Sequence, residues 1–252
     1  MSESGASFTK AMLLAAGRGT RLRPMTETVA KCMIEINGKP VLEHNVERLR
    51  KFGVTDIIIN LHYLPKAVKD HFGDGSRFGV RIRYSFEPEL LGTAGAVRNV
   101  AAFFDAPFFV WYGDNFSTCR LDRLREFHQA KGSIATIALH HRDDPTQSGI
   151  VGLDAHDRIT RFLEKPRPEQ VFSHWVSAGI LALDPRALNV IPRMGAPDFG
   201  RDVFPALLEH DAPVYGYRMA ADEELWWIDT AADLERVVTA LSTPGEAISD
   251  AD

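Results

Sequence analysis

The stretch AMLLAAGRGTRLRP, Ala11 to Pro24, decides how the rest of the chain is read. Its first half is a short apolar run that stops at a glycine, as a strand buried on both faces does. Its second half is a turn. Gly17 and Gly19 open backbone torsions closed to other residues, so successive amide N–H groups can face one anion. Arg18, Arg21 and Arg23 add charge beside that cradle, and a guanidinium fork matches phosphate oxygens. In an open α/β sheet the ligand sits beyond the carboxyl ends of the strands, where this loop would lie. The spacing is not the dinucleotide GxGxxG, because Arg21 and Leu22 come after Thr20 where a third glycine would fall, and no Gly-Lys-Ser/Thr completes a Walker loop. For Gly17-Arg18-Gly19 taken alone, a tight turn with solvated arginines is the plain alternative.

Outward from this loop, apolar runs alternate with amphipathic stretches. Pro40 to Gly53 reads as a helix with proline at its start and glycine at its stop. DIIINL (56–61), VRIRYSF (80–86) and PFFVWYGD (107–114) read as strands, separated by helices at KAVKDHF and TAGAVRNVAAFF. This predicts an α/β fold, a doubly wound, mostly parallel (mixed) sheet covered on both faces. The second half predicts a helix at DRLREFHQAKG, strands at SIATIALHHR, WVSAGILALD and VYGYRM, and a strand pair turning at Asp154–Asp157. Helices at GRDVFPALLEHD and AADLERVVTAL complete the pattern. A single domain is expected with a folded core over about 10–241, mobile ends at 1–9 and 242–252, and no hexapeptide period of an appended β-helix.

The 252 residues, 45% hydrophobic and 25% charged, suit a globular domain with a full core. A net charge of -5 argues against a nucleic-acid surface, so any bound anion must be met locally. No apolar run spans a bilayer and no secretory leader is evident, so no membrane association and a cytoplasmic location are expected. Cys32 and Cys119 have no CxxC partner and read as buried thiols. His140 and His141 are adjacent on a strand and so face opposite ways, which is not metal-ligand spacing. The Trp226–Trp227 pair reads as packing. Oligomeric state is not legible, and a homo-oligomer is compatible with the sequence.

The run LAAGRGTRLRPMT, with Lys31 downstream and INGKPVLEH after it, resembles the sugar-1-phosphate nucleotidyltransferases, the nucleotide-sugar pyrophosphorylases. The resemblance implies a Rossmann-like fold, Mg2+ as cofactor, and a nucleoside triphosphate and a sugar 1-phosphate as substrates. It implies that Leu14, Ala15, Ala16, Gly17, Gly19, Thr20 and Arg21 wrap the nucleotide, with Lys31 on phosphate; Ala30 stands where many members have proline. LLGTAGAV resembles the base-recognition segment and gives Gly92 and Thr93 that role, with Glu87 contributing. VWYGDN resembles the metal-binding strand end: Asp114 becomes a Mg2+ ligand and Gly113 lets the sugar approach. FLEKP makes Glu164 an acceptor for sugar hydroxyls and Lys165 a partner of the sugar phosphate. In WVSAGILAL, Ser177 replaces the usual asparagine beside Gly179, which leaves the sugar's identity open. WWIDTAADL makes Asp229 the second metal carboxylate, with Asp222, Glu223 and Glu224 as competitors for that assignment.

By this likeness, which runs from about residue 11 to 238, Arg21, Lys31, Asp114 and Lys165 carry the chemistry. The combination with SGIVGLD and DFGRDVFPALL looks most like the short guanylyltransferases acting on mannose or heptose 1-phosphate. YGDN and WIDT also echo uridylyl and thymidylyl relatives, and a catalytically silent nucleotide-sugar-binding regulator is the alternative of another class.

Overall fold

The computed structural model describes residues 8–242. The first strand, β1 (Lys10–Leu14), is flanked by β4 (Asp56–Leu61) and β6 (Phe108–Tyr112), both parallel to it, and β5 (Arg81–Phe86) adds to β4. Alternation along β1 divides the interior in two. Ala11 and Leu13 face one core, and Met12 faces the other. Each of these side chains is fully buried, which explains the uninterrupted apolar run.

The first core is closed by α1 (Val41–Lys51), α2 (Pro65–Phe72) and α4 (Leu121–Ala130). On α1 the buried positions Leu42, Asn45, Val46 and Leu49 follow helical spacing, and burying each aliphatic one is worth about 1.5–3 kcal/mol. The second core is closed by α3 (Thr93–Asn99), α5 (Phe204–Glu209) and a π-helical turn at Phe199–Val203 that runs into α5. Helices on both faces of one sheet confirm the expected doubly wound plan.

The sheet becomes mixed beyond β6. There β11 (Trp175–Leu183) runs antiparallel to β6 and to β8 (Ala135–His141), and β12 (Val214–Arg218) lies parallel to β8. The hairpin of β9 (Gly149–Leu153) and β10 (Ile159–Glu164) joins through Val176 and Ile150. Small pairs complete the chain: β2 (Glu35–Ile36) with β3 (Lys39–Pro40), and β7 (Asn115–Ser117) with β13 (Leu225–Trp227), before α6 (Ala231–Ser242). Among the described residues no helix is long and apolar enough to cross a membrane.

Three sequence expectations change. Phe8 and Thr9, expected in a mobile end, belong to the fold: Phe8 is buried against Phe109, and the Thr9 carbonyl accepts from Thr55 and Asp56. The remaining terminal segments lie outside the described residues, except Ser242, which closes α6. The helix expected through Phe104 ends at Asn99, because Val100 bonds back to Val97 and starts a separate 3-10 turn. The pairs β2–β3 and β7–β13 were not legible, since strands of two or three residues carry too little alternation to register.

Candidate active site

The carboxyl ends of β5, β4, β1 and β6 lie along one edge of the sheet, and every loop leaving that edge bears on the site. After Leu14 the glycine loop does not enter a helix. It runs through 3-10 turns at Thr20–Leu22, Met25–Glu27 and Lys31–Met33 that fold it back on the sheet. Gly19 has φ +61°, and a Cβ there would sit 2.9 Å from Lys31 Cβ, so glycine is what lets the loop close over Lys31. Thr26 secures that closure by donating to the Gly19 carbonyl at 2.7 Å. Leu22 is held in a small apolar cluster with Ile34, Ile36, Val41, Phe116, Ile228 and Val237. Two members of that cluster, Leu22 and Ile228, are the chain neighbours of Arg21 and Asp229.

Lys31 is the centre of the site. Its Nζ donates to Asp114 Oδ2 at 2.6 Å and to Asp229 Oδ1 at 2.7 Å, with its side chain 9% exposed. Arg21 reaches Asp229 at 3.0 Å from the solvent side. Burial alone would lower the Lys31 pKa, but Asp114 and Asp229 hold it above the ordinary lysine value. Asp114 is fixed by its neighbours in sequence: Gly113 N–H donates to the Leu14 carbonyl, and Asn45 Nδ2 donates to the Asn115 carbonyl. Asp229 sits between buried Ile228 and the start of α6, where Asp233 accepts from the Asp229 and Thr230 amides and Thr230 caps the Asp233 amide. The competing acids lie elsewhere. Asp222 pairs with Arg123, and Glu223 is buried beneath Tyr217 and the amides of Arg120 and Ala220. Glu224 is exposed, and its own amide and carbonyl bind Thr118 and Ser117 on the β7 side.

Beside this ion cluster opens a cavity of about 250 Å3, lined among others by Arg21, Thr93, Asp114, Glu164, Lys165, Ser177, Gly179 and Asp229. Neighbouring residues on a strand face opposite ways, yet Glu164 and Lys165 both line it. The break in alternation comes at Lys165, whose φ of +47° turns the chain as its N–H donates to the Ser148 carbonyl. Gly179, with φ +70°, lets Asn115 and Tyr112 approach β11 at its bulge. The Ser177 hydroxyl receives the Gly179 amide at 3.4 Å. Burial, and then Asp198, raises the Tyr112 phenol, and burial followed by Asp198 raises the Glu164 carboxyl.

Several expected residues stand away from the cavity. Glu87, read as a nucleotide contact, is 1% exposed, and both its carboxylate oxygens are engaged internally: Asn60 Nδ2 donates at 2.8 Å and Leu91 N at 3.0 Å. Asn60 Oδ1 in turn accepts from Ala15 N at 2.8 Å, so Glu87 steadies the glycine loop from beneath. Gly113 is buried with its missing side chain toward Leu42 and the Leu14 carbonyl, so strand packing, not sugar approach, accounts for glycine there. Gly92 packs against Ala196 and Pro197, and Thr93 turns toward the cavity, donating to Asp198 at 2.7 Å. Leu14 ends β1 and Ala15, Ala16, Gly17 and Thr20 lie along the loop; none of them lines the cavity, and Gly17 and Thr20 are exposed.

Residues given no site role from the sequence complete the wall: Tyr112, Asn115, Gln147, Ser148, Gly149, Phe162, Asp198, Gly200, Phe204 and Trp227. Tyr112 and Asn115 lay inside the VWYGDN motif. Asp198 was detectable as an N-cap, since it accepts from the Gly200 and Arg201 amides before the π turn. Ser148 and Gly149 lay inside the SGIVGLD segment, with no role assigned to either, and Gln147 carried no signal. Cys32 and Cys119 are both buried; burial pushes the Cys32 thiol up to about 12 and raises that of Cys119.

A family profile described as nucleotidyl transferase matches residues 10–233, nearly all of the described chain. The chain belongs to the nucleotidyl transferase family. Among curated relatives, a UTP–glucose-1-phosphate uridylyltransferase of Synechocystis sp. is 37% identical over 234 residues, covering 87% of this chain and 59% of the relative. A mannose-1-phosphate guanylyltransferase of Mycobacterium tuberculosis is 35% identical over 218 residues, covering 86% and 59%. The chain thus spans about three fifths of the length of these relatives. The fold matches that of HddC from Yersinia pseudotuberculosis complexed with GMP-PN at a TM-score of 0.77 and 24% identity, covering 92% of this chain and 99% of that one. The relatives divide between guanylyl and uridylyl transfer, so membership of the family leaves the base and the sugar open.

Proposed function

We propose that the chain transfers a nucleoside monophosphate from a nucleoside triphosphate, GTP favoured, to a sugar 1-phosphate of the mannose or heptose type, giving a nucleotide sugar and pyrophosphate. The observation that carries this reading is the meeting of Asp114 and Asp229 on one ammonium, beside Arg21 and a cavity with Lys165 in its wall. Bringing two phosphates together is a problem of like charge, and its solution is positioning with electrostatic stabilisation.

In this mechanism a sugar-phosphate oxygen attacks the α-phosphorus as the bond to the bridging oxygen breaks, and the electron pair leaves with pyrophosphate. No protein base is required, because a phosphate monoester with a second pKa of about 6 is already ionised at neutral pH. Arg21, more than half exposed on the glycine loop, is placed to meet the leaving pyrophosphate. Lys165 holds the sugar phosphate, and Lys31, once released from the carboxylates, bears on the α-phosphate. Asp114 and Asp229 offer oxygen donors, and both lie within 2.7 Å of a single positive centre, an arrangement that fits Mg2+ bound through two carboxylates and substrate oxygens. Bound there, the ion would neutralise charge between the two substrates. The resemblance to mannose and heptose guanylyltransferases and the 35% identical guanylyltransferase support guanine.

The test is to incubate the purified protein with five nucleoside triphosphates and a panel of sugar 1-phosphates, reading pyrophosphate and product mass. A guanosine diphosphate sugar is expected. A uridine or thymidine product would move the assignment to that class. Nucleotide-sugar binding without any product would make the protein a silent binder.

A further inference from the structure

His62, the first residue past β4, holds the glycine loop through hydrogen bonds whose polarity is fixed on both sides of the ring. Its Nδ1 lies 2.9 Å from the Glu87 carbonyl, which can only accept. Its Nε2 lies 3.0 Å from a terminal nitrogen of Arg18 and 3.3 Å from Arg18 Nε, which can only donate. The imidazole is therefore neutral, with its proton on Nδ1 and its Nε2 lone pair on the guanidinium. We propose that His62 is a positioning residue for nucleotide binding: as a neutral acceptor it aims Arg18 without cancelling its charge, so that Arg18 binds the terminal phosphates of the nucleoside triphosphate. The proposal rests on the nucleotidyltransfer reading and adds a residue to its nucleotide side.

The kind of partner decides what charge is left over. Arg81, Arg120 and Arg123 are each oriented by a carboxylate, and Arg21 pairs with Asp229. Arg18 is held too, yet among the described residues it forms no ion pair. A carboxylate in place of His62 would orient the guanidinium equally well but would offset its charge. The imidazole lone pair fixes direction and leaves a whole positive charge on an exposed residue. An ordered, uncompensated cation suits an anionic ligand, and a side chain oriented before binding loses less rotamer freedom on capture.

The strand order says which anion. β4 and β6 flank β1 on its two sides. From the loop that leaves β1, Arg18 reaches His62 just past β4, whereas Arg21 reaches Asp229, which shares Lys31 with Asp114 just past β6. One loop therefore sends two guanidiniums toward different strand ends, and an extended polyphosphate, not a single phosphate, is the ligand that uses both. The loop that carries His62 is itself tied to its surroundings. The Tyr63 hydroxyl donates to the Glu27 carbonyl at 3.0 Å, which fastens the second 3-10 turn of the glycine loop to the same segment. Glu87 anchors His62 through its carbonyl and Ala15 through its carboxylate and Asn60, so one residue steadies the glycine loop at two points.

The experiment measures, by calorimetry of the full chain with Mg2+ and no sugar phosphate, the affinity for GTP, UTP and their monophosphates. The proteins compared are the wild type, Arg18→Gln, His62→Asn, His62→Gln and the double variant Arg18→Gln with His62→Asn, and turnover with sugar 1-phosphates is followed in parallel. An asparagine amide can keep the bond to the Glu87 carbonyl but is too short to accept from Arg18, whereas a glutamine carbonyl reaches the Nε2 position. Arg18→Gln should weaken the better-bound triphosphate about tenfold or more and its monophosphate less than about threefold. His62→Asn should weaken the triphosphate about 3–10-fold, His62→Gln should stay within about twofold of wild type, and the double variant should be no weaker than Arg18→Gln alone. Melting curves check folding, and Arg18→Gln, at an exposed position, tests the phosphate contact whatever the histidine variants do. A triphosphate loss below about threefold in Arg18→Gln, equal losses for triphosphate and monophosphate, additive losses in the double variant, or a glutamine no better than asparagine overturns the proposal. So does failure of both triphosphates to bind the wild type. Product from a wild type whose variants bind normally would leave transfer standing and defeat the positioning role. Triphosphate binding that depends on Arg18 and His62, without any product, would do the reverse.

Discussion

Replacing Lys31 by methionine tests the core of the site, because it removes the buried cation between Asp114 and Asp229 while keeping the volume of the chain. The Lys31 side chain is 9% exposed, and those of Asp114 and Asp229 are 31% and 24% exposed. Breaking a fully buried pair by deleting one partner costs about 3–5 kcal/mol. Here water still reaches the carboxylates and Arg21 remains on Asp229, so we expect a loss of about 2–3 kcal/mol. For a domain of this size that is a fall in Tm of about 4–12 °C. The penalty has a defined pH course. The folded-state pKa of Lys31 is raised above its unfolded value, so its stabilisation is complete below the ordinary lysine value of 10.5 and is lost only as pH rises through the folded value. The difference between wild type and variant should therefore be flat across neutral pH and shrink in strong alkali as the ammonium is lost. Saturating Mg2+ should recover more stability in Lys31→Met than it adds to the wild type, because the ion meets two unpaired carboxylates there. Calorimetric melting with and without Mg2+ reads both effects. A variant within about 0.5 kcal/mol of wild type, or one that Mg2+ stabilises less than the wild type, would refute the reasoning.

The remaining expectations concern individual residues. Arg21→Ala and Asp114→Ala should each lower turnover at least about 100-fold, with Arg21→Ala leaving Tm nearly unchanged because that side chain is 56% exposed; losses below tenfold in both would count against their roles. Glu87→Gln sets an amide donor against Asn60 Nδ2 or Leu91 N, and should cost about 1–3 kcal/mol while raising the KM for nucleotide. A rise in KM with unchanged Tm would instead favour direct contact with the nucleotide. Gly200→Ala places a methyl against Glu164 and should raise the KM for sugar phosphate more than that for nucleotide; an unchanged sugar KM would mean the carboxylate has room to move. The folded-state pKa of Glu164 is raised, so its ionised form works against folding once pH exceeds the unfolded value. Glu164→Gln should therefore be more stable than wild type at pH 7–8, with the advantage fading toward acid, and equal melting temperatures at neutral pH would contradict this.

Local signals in the sequence determined much of this protein. The apolar run before Gly17, the glycine and arginine spacing after it, and the alternation of strands with helices are properties of short segments, so the sheet plan and the loop beside Lys31 were legible. Asp114 and Asp229 were legible as partners only through the family resemblance, which made them two carboxylates of one ion site; with 114 residues between them, no local periodicity encodes their meeting on Lys31. The folded chain also decided the places of Glu87 and Gly113. A glutamate near a ligand loop and one buried under it look alike in sequence, and only the engagement of both carboxylate oxygens by Asn60 and Leu91 separates them. Glu164 was named from its motif, but what surrounds it belonged to tertiary structure. Glu164 owes its position to Gly149 and Gly200, and the space left by an absent side chain acquires meaning only when distant segments pack against each other.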